Sequence, residues 1–171
     1  GIGIDPEHNV LDSLLLKQRQ NRKLRVEKIN KLLVKSNIDG LMSYLASQKA
    51  MSMTRSHVAD FLVLSGATKN RKSAFTRFLG KGGRAFIPAD WTSMEEAIHA
   101  IADSGGISIL AHPSRYQLSR YQLTSLIDAF KNSGGMALEV SYANINPNIQ
   151  RMLEEAALKN DLFVSAGSDF H

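Results

Sequence analysis

The stretch Gly105-Gly106-Ile107-Ser108-Ile109-Leu110-Ala111-His112-Pro113 determines the fold class of this chain. Its glycine pair ends a helical pattern, and the short, largely apolar run Ile107–Leu110 follows it. A short apolar run between turn residues is typical of a buried strand. We therefore predict a buried strand whose carboxyl end leads directly into His112.

The same helix-then-strand unit recurs further along the chain. The capping-box pattern Thr92-Ser93-Met94-Glu95 opens the helix that precedes the first strand and runs to about Ser104. Further helices are predicted at 122–132 and 148–160, and further strands at 136–140 and 162–164. Each unit takes about 25 to 30 residues, which is typical of an α/β layer with parallel strands. Parallel strands in such layers are buried on both faces and are therefore apolar along their length, as these three are, so we expect all three to be buried.

Polar residues follow two of these strands. His112 follows the first, and Asp169 and His171 follow the third. In α/β folds, catalytic groups lie at the carboxyl ends of strands. Because Asp169 and His171 are two apart, an extended backbone points both side chains to the same side. Carboxylate and imidazole donors suit divalent cations, so these three residues are candidate metal ligands; the alternative is a hydrogen-bonded structural role.

Residues 11–84 show helical patterns and no strand pattern. The first helix carries Leu24, Ile29, Leu32 and Leu33 at helical spacing and stops at Asp39-Gly40. Thr54 is a candidate N-cap for a second helix, which ends at Gly66. A third segment runs from Asn70 to Leu79. This region is predicted to be a basic helical subdomain.

The positive charge of the chain is concentrated in this first half. The net charge is +5, with 16 Lys and Arg against 6 Asp and Glu in residues 1–84, and 5 against 10 in residues 85–171. A basic region favours a polyanionic ligand, although solvated helix faces are often basic as well. Arg22 and Arg25, three apart on one helix face, either extend the basic surface or belong to a solvated face. Trp91 either lines a pocket or packs.

Composition and termini narrow the class of protein. The chain has 171 residues, 43% hydrophobic and 22% charged, which is typical of a globular protein. It contains no cysteine, which excludes thiolate metal sites and fits a cytoplasmic protein. It has no long apolar run, so no membrane association is expected. Gly1–Asp5 is predicted to be a buried strand that starts abruptly, so we expect the chain to be a fragment.

Three segments together carry a family resemblance. Ala111-His112-Pro113-Ser114-Arg115-Tyr116 and Gly167-Ser168-Asp169-Phe170-His171 resemble the closing motifs of the PHP (polymerase and histidinol phosphatase) superfamily. Met53-Thr54-Arg55-Ser56-His57-Val58-Ala59 resembles the Thr-Arg-x-His-x-Ala segment of one subgroup, the TrpH-like proteins. That subgroup includes RNase AM and the 3′,5′-nucleotide bisphosphate phosphatases. The resemblance extends over the whole chain, which looks like the C-terminal portion of such a protein.

The resemblance implies a fold and a division of the chain. The fold is part of a distorted (β/α)7 TIM-like barrel with an all-helical insertion. Residues 1–10 would be a remnant of a barrel strand, residues 11–84 the basic helical insertion, and residues 85–171 the C-terminal β/α units.

The resemblance also implies roles for single residues. His112, Asp169 and His171 would bind metal, with Asp169 and His171 acting in catalysis. Arg55, His57 and Arg115 would face the substrate phosphates. The alternatives are a solvated helix arginine for Arg55 and a capping or packing histidine for His57.

The remaining polar candidates match no motif, and one motif position departs from the pattern. His8 and His99 match nothing, and His99 is expected at the surface. Glu139 either faces the site or is structural. Ser114 stands where the subgroup is expected to have Gly. The family's N-terminal ligands, beginning with a His-x-His motif, have no counterpart, so the partner implied is a missing N-terminal PHP segment.

The implied function is metal-dependent phosphoester hydrolysis. The cofactor would be a divalent ion, manganese in this family, with iron and zinc as alternatives. The substrate would be a nucleotide 3′,5′-bisphosphate, with release of the 3′-phosphate, or a short RNA degraded from 5′ to 3′. The alternatives are a histidinol-phosphatase-like or polymerase-associated phosphoesterase, and a non-catalytic module that binds nucleotides or RNA.

Overall fold

The computed structural model describes residues 1–48 and 53–168 and divides the chain into two compact units. One, here called the helical unit, is Leu15–Trp91. The other, here called the sheet unit, combines Gly1–Leu14 with Thr92–His171. Each unit has its own cluster of buried hydrophobic side chains. Among the described residues, none of the helices has the length and hydropathy needed to cross a membrane.

The helical unit combines one long helix with several short ones. Its elements are α1 (Asn9–Lys35, which the unit contains from Leu15 onward), α2 (Leu41–Ser47), α3 (Arg55–Leu64), α4 (Arg71–Ala74) and a π-helical segment Phe75–Leu79 that continues α4. Val26, Ile29 and Leu33 recur at three- and four-residue spacing on α1 and are almost fully buried. Truncating a side chain such as Leu33 to Ala would cost about 2–5 kcal/mol.

The sheet unit contains three parallel strands. From Thr92 onward its elements are α5 (Met94–Asp103), β1 (Ile109–Leu110), a 3₁₀ turn Pro113–Arg115, α6 (Arg120–Asn132), β2 (Ala137–Ser141), α7 (Pro147–Lys159) and β3 (Phe163–Ala166). The strand order is β1-β2-β3, with β1 and β3 each parallel to β2. The predicted alternation of helix and parallel strand is therefore confirmed.

Burial in the sheet differs from the prediction at its edge. The central strand β2 is largely buried, with Leu138 fully inaccessible. On β3, however, Phe163 is 66% exposed and Val164 is 60% exposed. Since β3 pairs with β2 on one side only within the described sheet, its residues lack the neighbours that bury a central strand.

Two local expectations are corrected. The strand predicted over Gly1–Asp5 is reduced to a single antiparallel bridge between Ile2 and Ile107, because Gly3 takes a positive φ of 66° that ends the extended backbone. The helix α5 is capped one residue later than predicted, since the Ser93 hydroxyl accepts the backbone N–H of Glu96 at 3.1 Å.

Candidate functional site

The turn after β1 holds His112 in a strained conformation. His112 has φ 33° and ψ 52°, in the left-handed region that non-glycine residues rarely adopt. It also precedes Pro113, and a residue before proline is biased towards extended conformations. Backbone strain of this kind persists only where surrounding contacts enforce it, and it is concentrated at functional sites.

Glu139 supplies the contact that holds this turn. The backbone N–H of His112 donates a hydrogen bond at 2.6 Å to Oε2 of Glu139, which lies 27 residues further along the chain. The register between β2 and β3 shifts between Glu139 and Ser141. Gly167 lies against the other carboxylate oxygen, and a Cβ at that position would come within 2.5 Å of Oε1. The Glu139 carboxylate therefore lies at the strand ends and fixes the His112 turn, which is the structural role considered for it.

The His112 ring has an unused nitrogen. Its Nδ1 is buried and has no hydrogen-bond partner. The ring packs edge-on against Tyr116, with centroids 5.8 Å apart. A buried polar atom without a partner is costly, so a hydrogen-bond donor or a metal ion bound to this nitrogen would stabilise the site.

Two tyrosines that the sequence reasoning missed border the same turn. The Tyr116 hydroxyl donates to the Ala111 carbonyl at 3.0 Å. Burial raises the pKa of Tyr116, and the charges of Glu139 and Tyr142 raise it further, so the hydroxyl stays protonated at neutral pH. The Tyr142 and Ser114 hydroxyls are hydrogen-bonded to each other. The sequence could have indicated Tyr142, because it directly follows β2 and a polar group at a strand end is expected to join the site.

Arg115 and Ser114 lie on the same turn as His112. The guanidinium of Arg115 lies over the Tyr142 ring, 5.6 Å from its centroid, and the residue is exposed. The serine at the position expected to be Gly places a hydroxyl against Tyr142.

Arg55 and His57 belong to the helical unit and lie in the first turn of α3. The Thr54 backbone N–H donates to Nδ1 of His57 at 3.1 Å, and Thr54 is the N-cap residue, as predicted. Because Nδ1 accepts this hydrogen bond, the neutral imidazole carries its proton on Nε2. His57 is therefore a capping histidine that still has one N–H donor for another partner.

Arg55 is half-buried and stacked. Its guanidinium lies 5.6 Å from the centre of the Phe75 ring, and Nη1 lies 3.5 Å from the Leu79 carbonyl oxygen. It is therefore more constrained than the solvated helix arginine considered as its alternative. Arg25 lies close to Arg55. Burial lowers the pKa of Arg25, and the positive charge of Arg55 lowers it further.

The predicted metal ligands are only partly described. Asp169 and His171 lie outside the described residues. Within residues 1–48 and 53–168, no three His, Asp or Glu side chains form a group that could hold a metal ion. His99 is exposed, as expected, and the half-buried His8 has a buried Nδ1 without a partner. Of the proposed ligands, the structure therefore describes His112 alone, and its unpartnered Nδ1 fits the role of a metal donor.

Comparison with known proteins supplies relatives along the entire chain. The chain is 35% identical over 173 residues to the 5′-3′ exoribonuclease Rnm of Escherichia coli, covering 100% of this chain and 59% of that protein. It is 32% identical over 175 residues to the 3′,5′-nucleoside bisphosphate phosphatase of Chromobacterium violaceum, again covering 100% of this chain and 61% of that protein. The chain thus spans about three fifths of the length of these relatives. No family model matches the chain.

Solved structures agree with these relatives. An amidohydrolase from Chromobacterium violaceum, solved with bound sulfate and no metal, matches with a TM-score of 0.81 and 31% identity over 99% of this chain and 60% of that chain. A protein from Bifidobacterium adolescentis, assigned as a metal-dependent phosphoesterase, matches with a TM-score of 0.78 and 28% identity over 98% of this chain and 60% of that chain.

Fold, strand-end histidine and relatives agree with the resemblance that the motifs carry to the PHP superfamily: over its whole length the chain is similar to proteins named as an exoribonuclease, a nucleoside bisphosphate phosphatase and a metal-dependent phosphoesterase. Its curated relatives are the 5′-3′ exoribonuclease Rnm and the 3′,5′-nucleoside bisphosphate phosphatase, the two kinds of protein in the subgroup that its motifs resemble.

Proposed function

We propose that the protein containing this chain is a metal-dependent hydrolase that cleaves phosphoesters of nucleotides. Its substrates would be nucleotide 3′,5′-bisphosphates, from which it releases the 3′-phosphate, short RNAs that it degrades from 5′ to 3′, or both. The His112 turn carries this proposal, because it combines backbone strain with a buried, unpartnered ring nitrogen at the carboxyl end of a parallel strand. The relatives that match the whole chain bear the names of these two activities.

His112, Asp169 and His171 would hold divalent metal. Imidazole and carboxylate donors fit manganese, and also iron or zinc, and we propose manganese. When bound, such an ion lowers the pKa of a coordinated water and neutralises charge on the phosphoryl group. The N-terminal ligands would come from a preceding PHP segment of the protein.

The chain's own residues orient the site and bind phosphate. Glu139 holds the His112 backbone and thereby directs the imidazole. Arg55 would present its planar guanidinium to phosphate oxygens, and His57 would donate from Nε2, since Thr54 occupies Nδ1. Arg115, on the His112 turn, would contact a phosphate there. Replacing Arg55 by Ala should raise KM about tenfold with little change in kcat, and Arg55→Lys should recover only part of this loss, because Lys cannot make a two-pronged contact.

The barrel and the domain boundaries are part of the same proposal. The three parallel strands would form one arc of a distorted (β/α)7 barrel, and the helices of residues 11–84 an insertion in it. Likeness to two solved structures, each 60% covered by this chain, supports this arrangement.

Phosphate release tests the function. The intact protein with manganese would be given adenosine 3′,5′-bisphosphate and, separately, a short 5′-phosphorylated RNA, with inorganic phosphate and mononucleotides measured. We expect turnover of at least one substrate and its loss on metal removal. Nucleotide binding without turnover and without bound metal would instead support a non-catalytic binding module. Preference for histidinol phosphate would support the histidinol-phosphatase alternative.

A further inference from the structure

A basic cleft within the helical unit lies among α1, the start of α3, the π-helical segment and Trp91. Its volume is about 300 Å³. Three arginines line it, namely Arg22, Arg25 and Arg55, together with the aromatic residues Phe75 and Trp91. None of the described residues that line the cleft is acidic.

The arginines are held in place although their charges repel. Nε of Arg25 donates to the Ile87 carbonyl at 2.8 Å, which fixes the direction of its guanidinium. Arg55 stacks on Phe75, which also lines the cleft. Both residues are half-buried, and the charge of Arg55 contributes to the lowered pKa of Arg25. Packing like charges together costs free energy that a bound polyanion would recover.

Trp91 adds an exposed aromatic surface to this cluster. The residue is 62% exposed, although tryptophan is usually well buried, and the guanidinium of Arg22 lies 5.8 Å from its ring centre. Exposed aromatic rings beside arginines are the arrangement with which proteins bind single-stranded nucleic acid, because bases stack on the rings and arginines bind the backbone.

We propose that this cleft binds a segment of single-stranded RNA, with one base stacked on Trp91 and the flanking phosphates on Arg22, Arg25 and Arg55. This inference rests on the proposed function and deepens it by assigning a base-stacking position to Trp91 and phosphate contacts to the three arginines. A chain with successive phosphates can engage all three guanidinium groups.

Fluorescence of Trp91 tests the proposal directly, because it is the only tryptophan of this chain. The intact protein, kept in chelator so that no turnover occurs, would be titrated with a 5′-phosphorylated hexaribonucleotide and, in parallel, with adenosine 3′,5′-bisphosphate. The difference between the spectra of the parent protein and W91F isolates the emission of Trp91. We expect saturable quenching by the hexamer, with at least tenfold weaker binding of the bisphosphate.

Variants identify the groups responsible. W91L should weaken hexamer binding about tenfold, W91F should weaken it less because a phenyl ring still stacks, and R22A should weaken it and lower its salt dependence. Matched controls in the sheet unit are Y121L and R120A, which replace an exposed tyrosine and an arginine of α6 and should leave binding unchanged.

Two results would overturn the proposal. The first is that the hexamer binds without quenching the fluorescence of Trp91, or that it binds the W91L variant as tightly as the parent protein. The other is equal affinity for hexamer and bisphosphate, which would make the cleft a mononucleotide site. Failure of the proposed function is a separate result, because it would appear as absent phosphate release with manganese while quenching by the hexamer persists.

Discussion

The helical unit and the sheet unit position their candidate ligand-binding histidines by different means. In the helical unit, His57 is held by the backbone of Thr54, three residues away. In the sheet unit, His112 is held by Glu139, which lies 27 residues further along the chain on an adjacent parallel strand. The first arrangement needs only one helix turn, whereas the second exists only when two strands have paired in the correct register. Damage to the sheet should therefore affect the His112 site more than damage to a helix cap affects the His57 site.

The largest effect is expected for His112→Ala. If His112 binds metal, its removal should lower kcat/KM more than about 100-fold and reduce bound metal, since loss of a direct ligand should exceed the 10–100-fold effects of outer-shell changes. Turnover of adenosine 3′,5′-bisphosphate and metal content per protein would measure this. His99→Ala, at an exposed position of α5, is the matched control and should leave both unchanged. Full activity and metal content in the His112 variant would remove this residue from the site.

Replacement of Glu139 tests whether the long-range contact positions the histidine. Glu139→Ala leaves the His112 N–H without its acceptor, so we expect about 10–100-fold lower activity and a free energy of unfolding lower by about 1–3 kcal/mol. Glu139→Gln keeps an acceptor oxygen and should lose less of both. Activity assays with urea denaturation would separate these outcomes, with Glu154→Ala, exposed on α7, as the control. Equal effects of Ala and Gln would argue against the hydrogen bond as the cause.

His57 offers the corresponding test in the helical unit. His57→Ala removes the reciprocal cap of α3 and should cost about 1 kcal/mol of stability. His57→Gln keeps a side chain suited to that capping position but lacks the imidazole. If Nε2 binds phosphate, KM should rise about tenfold in both variants, whereas only the Ala variant should lose stability. A Gln variant with unchanged KM would make His57 a capping residue alone.

The smallest effect is expected at the surface pair of Asp60 and Arg71. Hydrogen bonding to Arg71 lowers the pKa of Asp60, so the pair stabilises the fold above the pKa of the unfolded chain, about 3.9. That contribution is lost as pH falls towards the lowered folded pKa. Asp60→Asn should therefore give a slightly lower Tm at neutral pH, and the difference should shrink as pH falls through the carboxylate range. Because Arg71 is exposed, no effect on turnover is expected.

Local patterns in the sequence predicted several features correctly. The alternation of helices with parallel strands, the Thr54 cap and the exposure of His99 all match the structure. These follow from short apolar runs bounded by turn residues, from capping preferences and from the polar face of one helix. The abrupt strand at Gly1–Asp5 was a wrong prediction, because the apolar residues there alternate with glycines and Gly3 turns the backbone.

The sequence by itself determined the family resemblance of this chain, its helix-and-strand order and the identity of its motif residues, because these depend on short stretches of chain. Only the tertiary structure decided that Glu139 supports the His112 turn and that Arg22 lies over the ring of Trp91. The partners in both contacts are far apart in sequence. Such contacts depend on strand register and on the packing of several elements, and no local pattern encodes either of these.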